Sequence, residues 1–176
     1  MIGLCVDAIK DALGANPIEE ITHTTGWWTL TFLMIVLAVT PLQKLSGWPW
    51  VVRFRRTLGL FAFFYASLHF LTYFVLDQFF DWEAIVHDIV KRPYITVGFF
   101  AFVLMAVLAA TSTNVMIRRM GGKTWHQLHR LVYVIAVAGV VHFWWLVKKD
   151  IHEPAEFAVV LAVLLGFRIV WTLRKR

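Results

Sequence analysis

The stretch LGLFAFFYASLHFLTYFVL, residues 58–76, carries no formal charge as long as His69 is neutral. Nineteen such residues are close to the roughly 20 that an α-helix needs to cross the hydrocarbon core of a bilayer. One imidazole interrupts the run. An ionisable side chain inside a span is costly to keep there and is a functional hypothesis by default.

The rest of the chain repeats this pattern. Of its 176 residues, 60% are hydrophobic and 16% aromatic, and the mean hydropathy is +0.69. Soluble domains are about 45–50% apolar, so the excess points to lipid as the solvent. Apolar runs near 24–42, 56–76, 93–113, 125–147 and 154–173 each approach spanning length. The third keeps its apolar character as far as Ile117, and Pro93 suits a first-turn position because it needs no bonded N–H there. The fourth is read as one helix from Trp125 onward. Arg168, near the end of the fifth, is expected to snorkel to the interface. The links SGWPW, Asp77–Asp88, MGGK and KKDIHEP are polar or rich in Gly and Pro. The expectation is an all-α, polytopic membrane helix bundle of five spans, one domain over residues 1–176, with residues 1–22 as an outer N-terminal segment. Ile2, Val6, Ile9 and Leu13 fall at helical spacing, which suits a short amphipathic helix or the remnant of a longer first helix. Residues 1–13 lack the clean apolar core of a signal peptide. The single cysteine, Cys5, makes no intrachain disulfide.

The formal net charge is +6, but Lys and Arg sit in short clusters between apolar runs. That is a topology signal, not the basic stripe of a nucleic-acid face. Lys44, Arg53, Arg55 and Arg56 follow the first run. Arg118, Arg119 and Lys123 follow the third, and Arg174, Lys175 and Arg176 end the chain. The positive-inside rule puts these on the cytoplasmic side. Asp77, Asp81, Glu83 and Asp88 fall on the other.

The seven histidines differ in kind. His87 and His152 fall in outer links, and His23 lies at the mouth of the first span. His69 and His142 are embedded. His69 lies 14 residues from Arg55, roughly 21 Å along the axis; His142 lies 17 residues from Trp125, roughly 25 Å. Both runs start from the same side, so the two imidazoles share a level. They can clamp a haem, for which histidine is the usual axial ligand, or bond to each other's helices as structural groups. His129 lies roughly 20 Å from His142, a spacing that suits a second haem. On an ideal helix, however, the two rings point roughly 140° apart, so a tilt, a distortion near Gly139 or a different partner for His129 is required. His126 suits an interfacial or supporting role. A membrane b-type cytochrome and a transport or proton-conducting subunit using the same histidines both remain open at this level.

Several segments, in order, resemble the MsrQ (YedZ) family: GANPIEEITHTTG, TPL, RRTLGLFAFFYASLHFLTY, KRPYITVG, LAATS and GGKTWHQLHRLVYVIAVAGVVHFWW. That family comprises haem-binding membrane subunits related to the transmembrane domains of ferric reductases and NADPH oxidases. The resemblance implies His69 and His142 as the axial pair of one haem b, and His129 as a ligand to a possible second. It implies electron relay to a periplasmic molybdopterin methionine sulfoxide reductase (MsrP), from the quinone pool or a cytoplasmic flavin reductase. FMN is associated with the family, although no flavin motif is evident. A ferric or other metal-ion reductase is the near alternative. The implied location is a bacterial inner membrane with the C-terminus cytoplasmic. No Gly-rich nucleotide fingerprint accompanies the spans, so the donor is a separate molecule.

Overall fold

The computed structural model describes residues 16–147 and 149–174. The Ile2–Leu13 segment and Cys5 lie outside them. The first helix, α1 (Pro17–Ser46), opens with a built N-terminus: the Asn16 side chain accepts from Glu19 N, Pro17 takes the first position, and Glu19 and Glu20 complement the dipole. It therefore starts at Pro17 instead of near Thr24. It stops at Gly47, whose φ of 73° is left-handed and whose N–H bonds Gln43 O. A 3-10 turn (Pro49–Arg53) leads into α2 (Phe54–Leu71), which ends in a π-helical turn, Thr72–Asp77.

Next come α3 (Trp82–Lys91), α4 (Pro93–Ala110), α5 (Asn114–Met120) and α6 (Gly122–Leu128). A 3-10 turn (His129–Leu131), α7 (Val132–Leu146) and α8 (His152–Leu173) complete the fold. Among the described residues, five helical segments are long and apolar enough to cross a membrane: Pro17–Ser46, Pro49–Asp77, Pro93–Ala110, Gly122–Leu146 and His152–Leu173. The all-α five-span bundle expected from the sequence is the fold observed.

One link acquires a structure that the hydropathy pattern left open, and two local readings are corrected. The acidic Asp77–Asp88 link is mostly helix, because Asp81 caps α3 by accepting from Ala84 N. The third span does not run on toward Ile117. Thr111 and Ser112 turn their hydroxyls back onto Val107 and Leu108 carbonyls, and Thr113 caps a separate α5. The fourth span is not one uninterrupted helix, because it tightens to a 3-10 turn at His129.

Packing centres on α1, which lies against α2, α7 and α8, while α4 lies against α7 and α2. Leu30, Leu33, Met34 and Leu37 of α1 meet Ile135, Ala136, Val140 and Phe143 of α7, together with Ala62, Ala66, Ala101, Met105 and Leu161. The alanines let backbones approach closely, the usual device where lipid and side chains are equally apolar. Consecutive spans alternate in direction. Thr22 meets Thr72, Tyr94 meets His142 and His23 meets Glu153 at one end; Arg56 meets Asn114 and Ser112 meets His129 at the other. So α2 and α7 run parallel.

Arg168 does not snorkel. It turns into the bundle, where Nη1 donates to Tyr133 Oη and Nη2 to Leu37 O, each at 2.7 Å. The reason lies four residues past Leu37. A helical carbonyl accepts from the N–H at i+4, and residue 41 is proline, which has none. Leu37 is buried, and the guanidinium serves its orphaned acceptor. Arg168→Met should lower stability by about 1–3 kcal/mol, the cost of unpaired buried polar groups. The loss should be smaller in a Pro41→Ala background, where residue 41 supplies its own N–H. Unfolding midpoints in detergent for the four proteins test this; equal losses in both backgrounds would show that the carbonyl is not what Arg168 serves.

Candidate functional site

His69 on α2 and His142 on α7 meet inside the bundle, with ring centroids 6.1 Å apart and planes at 82°. Parallel helices and matched axial positions bring them together, as the axial-rise reasoning requires. Each ring is held the same way. His69 Nδ1–H donates to Thr22 O at 2.9 Å, and His142 Nδ1–H donates to Tyr94 O at 2.7 Å. A carbonyl only accepts, so the bonded nitrogen carries a proton, and whenever the ring is neutral the lone pair is on Nε2.

Four residues beyond each carbonyl stands a glycine. A Cβ at Gly98 would lie 2.7 Å from His142 Nδ1, and one at Gly26 would lie 3.1 Å from His69 Nδ1 and Cε1. The imidazoles therefore press directly onto the backbones of α4 and α1, where any side chain would intrude. Thr22, Gly26, Tyr94 and Gly98 are parts of the site that sequence reasoning missed. The available signal was a glycine inside an otherwise helical apolar segment, which usually marks a close approach.

His129 lies at the other end of the same span and joins neither ring. Its Nδ1–H donates to Trp125 O at 3.1 Å, and its Nε2 lies 3.3 Å from Ser112 Oγ. It stacks on Trp125 with centroids 3.9 Å apart, while the Trp125 indole N–H donates to Thr111 O. The helix is distorted at His129 itself, in the 3-10 turn, and runs as regular α-helix through Gly139. The other histidine near it, His126, lies one turn earlier on the same segment and is exposed, and among the described residues no group of three or more His, Cys, Asp or Glu is suited to a simple metal ion.

The remaining histidines are peripheral. His126 is exposed and edges onto Trp125. His23 pairs with Glu153 at 3.2 Å and sits edge-on to Phe143 at 5.8 Å, tying α1 to α8 beside the His69–His142 pair. His87 is exposed next to Asp88, and His152 begins α8.

Comparison with known proteins adds an independent line. Residues 25–140 match the family described as ferric reductase like transmembrane component. Over 175 residues the chain is 56% identical to the protein-methionine-sulfoxide reductase heme-binding subunit MsrQ of Herminiimonas arsenicoxydans, covering 98% of this chain and 80% of that protein. It is 54% identical to the MsrQ of Ralstonia nicotianae, covering 97% and 80%, and 57% identical to that of Azospira oryzae, covering 94% and 71%. By fold, by matched segment and by identity along nearly its whole length, the chain belongs to the MsrQ family of ferric-reductase-like membrane proteins.

Proposed function

We propose that the chain is a b-type cytochrome subunit that relays single electrons across the membrane, with His69 and His142 as the axial ligands of one haem. The observation that carries this is the paired imidazoles. Two imidazoles binding one metal from opposite sides have centroids about 6 Å apart, given metal–nitrogen distances of about 2.0–2.1 Å; these are 6.1 Å apart. Both Nδ1 atoms are tied to carbonyls, the usual second interaction of a ligating histidine, which orients the ring and leaves Nε2 for the metal. A bare ion would need more ligands than two, whereas a porphyrin brings its own. Bound haem would supply a one-electron couple whose potential depends on its ligands and on burial. The residues of the chain hold the imidazoles, keep water out and set the local field.

His129 is the candidate ligand for a second, inner haem. Its Nδ1 is tied to Trp125 O in the same manner, and its Nε2, beside Ser112 Oγ, is the atom that would hold the iron. In this reading residues 1–176 form one transmembrane domain in the bacterial inner membrane. The C-terminus is cytoplasmic, because Arg53, Arg55, Arg56, Arg118 and Arg119 gather at that end. The His69–His142 site then lies toward the periplasm. The relatives' names point to a methionine sulfoxide reductase system. The acceptor is accordingly an MsrP-like periplasmic molybdopterin enzyme, and the donor is a membrane quinol or a soluble flavin reductase, with FMN as a candidate intermediary. The sulfoxide chemistry belongs to the partner. Delivery to a ferric chelate is the alternative that the family match suggests. Reduced protein offered both acceptors should be reoxidised faster by the MsrP-like enzyme; preference for the chelate would favour the alternative.

Visible spectra of dithionite-reduced protein test the haem assignment. His69→Ala and His142→Ala should each abolish the same low-spin haem, while His129→Ala removes a distinct component and leaves that one intact. A full, unshifted spectrum in either of the first two variants would sink the pairing. The glycine niches provide a graded check. Gly98→Ala should lower occupancy of the His69–His142 haem more than Gly26→Ala, because its Cβ would meet the ring at 2.7 Å against 3.1 Å. Haem per chain by pyridine haemochrome measures both.

A further inference from the structure

Asp88 is the one buried carboxylate among the described residues. A buried charge is costly unless it is paired and hydrogen-bonded, so its partners matter. Asp88 is a buried residue of α3, which packs against α4 and reaches the π turn that follows the His69 helix. Its Oδ2 accepts from Tyr73 Oη at 3.3 Å, and its Oδ1 forms an ion pair with Arg92, 3.1 Å from Nε. Tyr73 lies one turn beyond His69 on the same chain segment. Arg92 is the N-cap of α4, and its Nη1 reaches Tyr94 Oη at 3.5 Å; Tyr94 is the residue whose carbonyl holds His142. One carboxylate thus joins the segment carrying one ring to the helix start that holds the other.

We propose that Asp88 is a positioning residue that tunes the outer haem site: its buried negative charge favours the oxidised iron and so lowers the potential there. This rests on the reading of His69 and His142 as haem ligands. Three charged or titratable groups face Asp88. Arg92 is about half exposed, His87 lies 4.0 Å away and is mostly exposed, and Tyr73 is the phenol already named. Water screens Arg92 and His87 on their open sides, whereas the carboxylate faces the low-dielectric interior, where charge acts over a longer range. The negative charge is therefore felt at the site more than its counter-charge.

The experiment is a potentiometric titration of the visible spectrum on the purified full chain, wild type beside Asp88→Asn and Arg92→Gln. Asp88→Asn keeps the size and polar character of the side chain and removes the charge. It should retain haem content and the low-spin spectrum while moving the reduction equilibrium of the His69–His142 haem about tenfold toward the reduced form, ~59 mV upward for one electron. Arg92→Gln should move it the opposite way by less. A purely structural strut would disturb the same frame in both variants and give shifts of one sign. An unchanged midpoint in Asp88→Asn, or same-sign shifts in the pair, overturns the proposal. If Asp88→Asn fails to fold, Arg92→Gln decides alone: a downward shift supports the proposal, and an upward shift or none overturns it. Wild-type protein without haem under ample haem supply would instead defeat the ligand reading on which the proposal rests.

Discussion

Inside the bundle a polar hydrogen has little help from water, and the backbone carbonyls of neighbouring helices are the acceptors within reach; Thr31 Oγ1, Arg168 Nε and Trp171 Nε1 are buried side-chain atoms left without a partner. A helical carbonyl already accepts one bond from the N–H four residues on, but it has a second lone pair. His69 uses that of Thr22 and His142 that of Tyr94. Each bond requires the imidazole to come almost into contact with a helix backbone, which is possible because Gly26 and Gly98 offer no side chain at the point of contact. The same need explains Arg168. Leu37 O has lost its intrahelical donor to Pro41, and a guanidinium from α8 replaces it. Unsatisfied backbone in lipid costs several kcal/mol per group, so these contacts specify the packing as well as stabilise it.

The contacts also explain why the bundle presents two imidazoles in a controlled way. A histidine rotating freely at χ1 and χ2 would offer either nitrogen in any direction. Pinning Nδ1 to a backbone atom removes that freedom and selects the tautomer with a lone pair on Nε2. Because the acceptors belong to α1 and α4, the spacing of the two rings depends on how four helices pack. Buried alanines on α2, α4 and α7 set those distances. The end of the molecule that holds the rings is further braced. Thr22 meets Thr72, His23 reaches Glu153, and α3 inserts Asp88 between the π turn of α2 and the start of α4. The His129 end is built differently: the ring bonds to a carbonyl of its own segment and stacks on its own Trp125. Its environment is local, while that of the other two is made between helices.

The strain on the chain gathers near that braced end. Phe79 and Phe80 both have positive φ, 46° and 63°, directly after the π turn. Bulky residues in this region carry a conformational cost that surrounding structure must offset. Phe80 packs edge-on against Phe74, as does Trp82, and these contacts, with the Asp81 cap, lead the chain into α3, which packs against α4.

Much of this was legible in one dimension. Apolar runs of spanning length between charged links define five helices, since hydropathy and length decide whether a segment can enter a bilayer. Counting residues from the charged ends put His69 and His142 at one level, because axial rise depends only on residue number. Azimuth and partner identity are another matter. The break at His129 depends on Ser112 and Trp125 around it, and the helical character of the acidic link on a cap at Asp81. Arg168, expected at the interface, turned inward to a carbonyl 131 residues away in sequence. Spans, their levels and the candidate ligands were therefore set by the sequence alone, through local hydrophobicity and helical rise. Which carbonyl holds each imidazole, which glycines admit them and which charges turn inward were decided only when distant helices packed together, because the acceptors within reach of these polar groups are the ones that packing supplied.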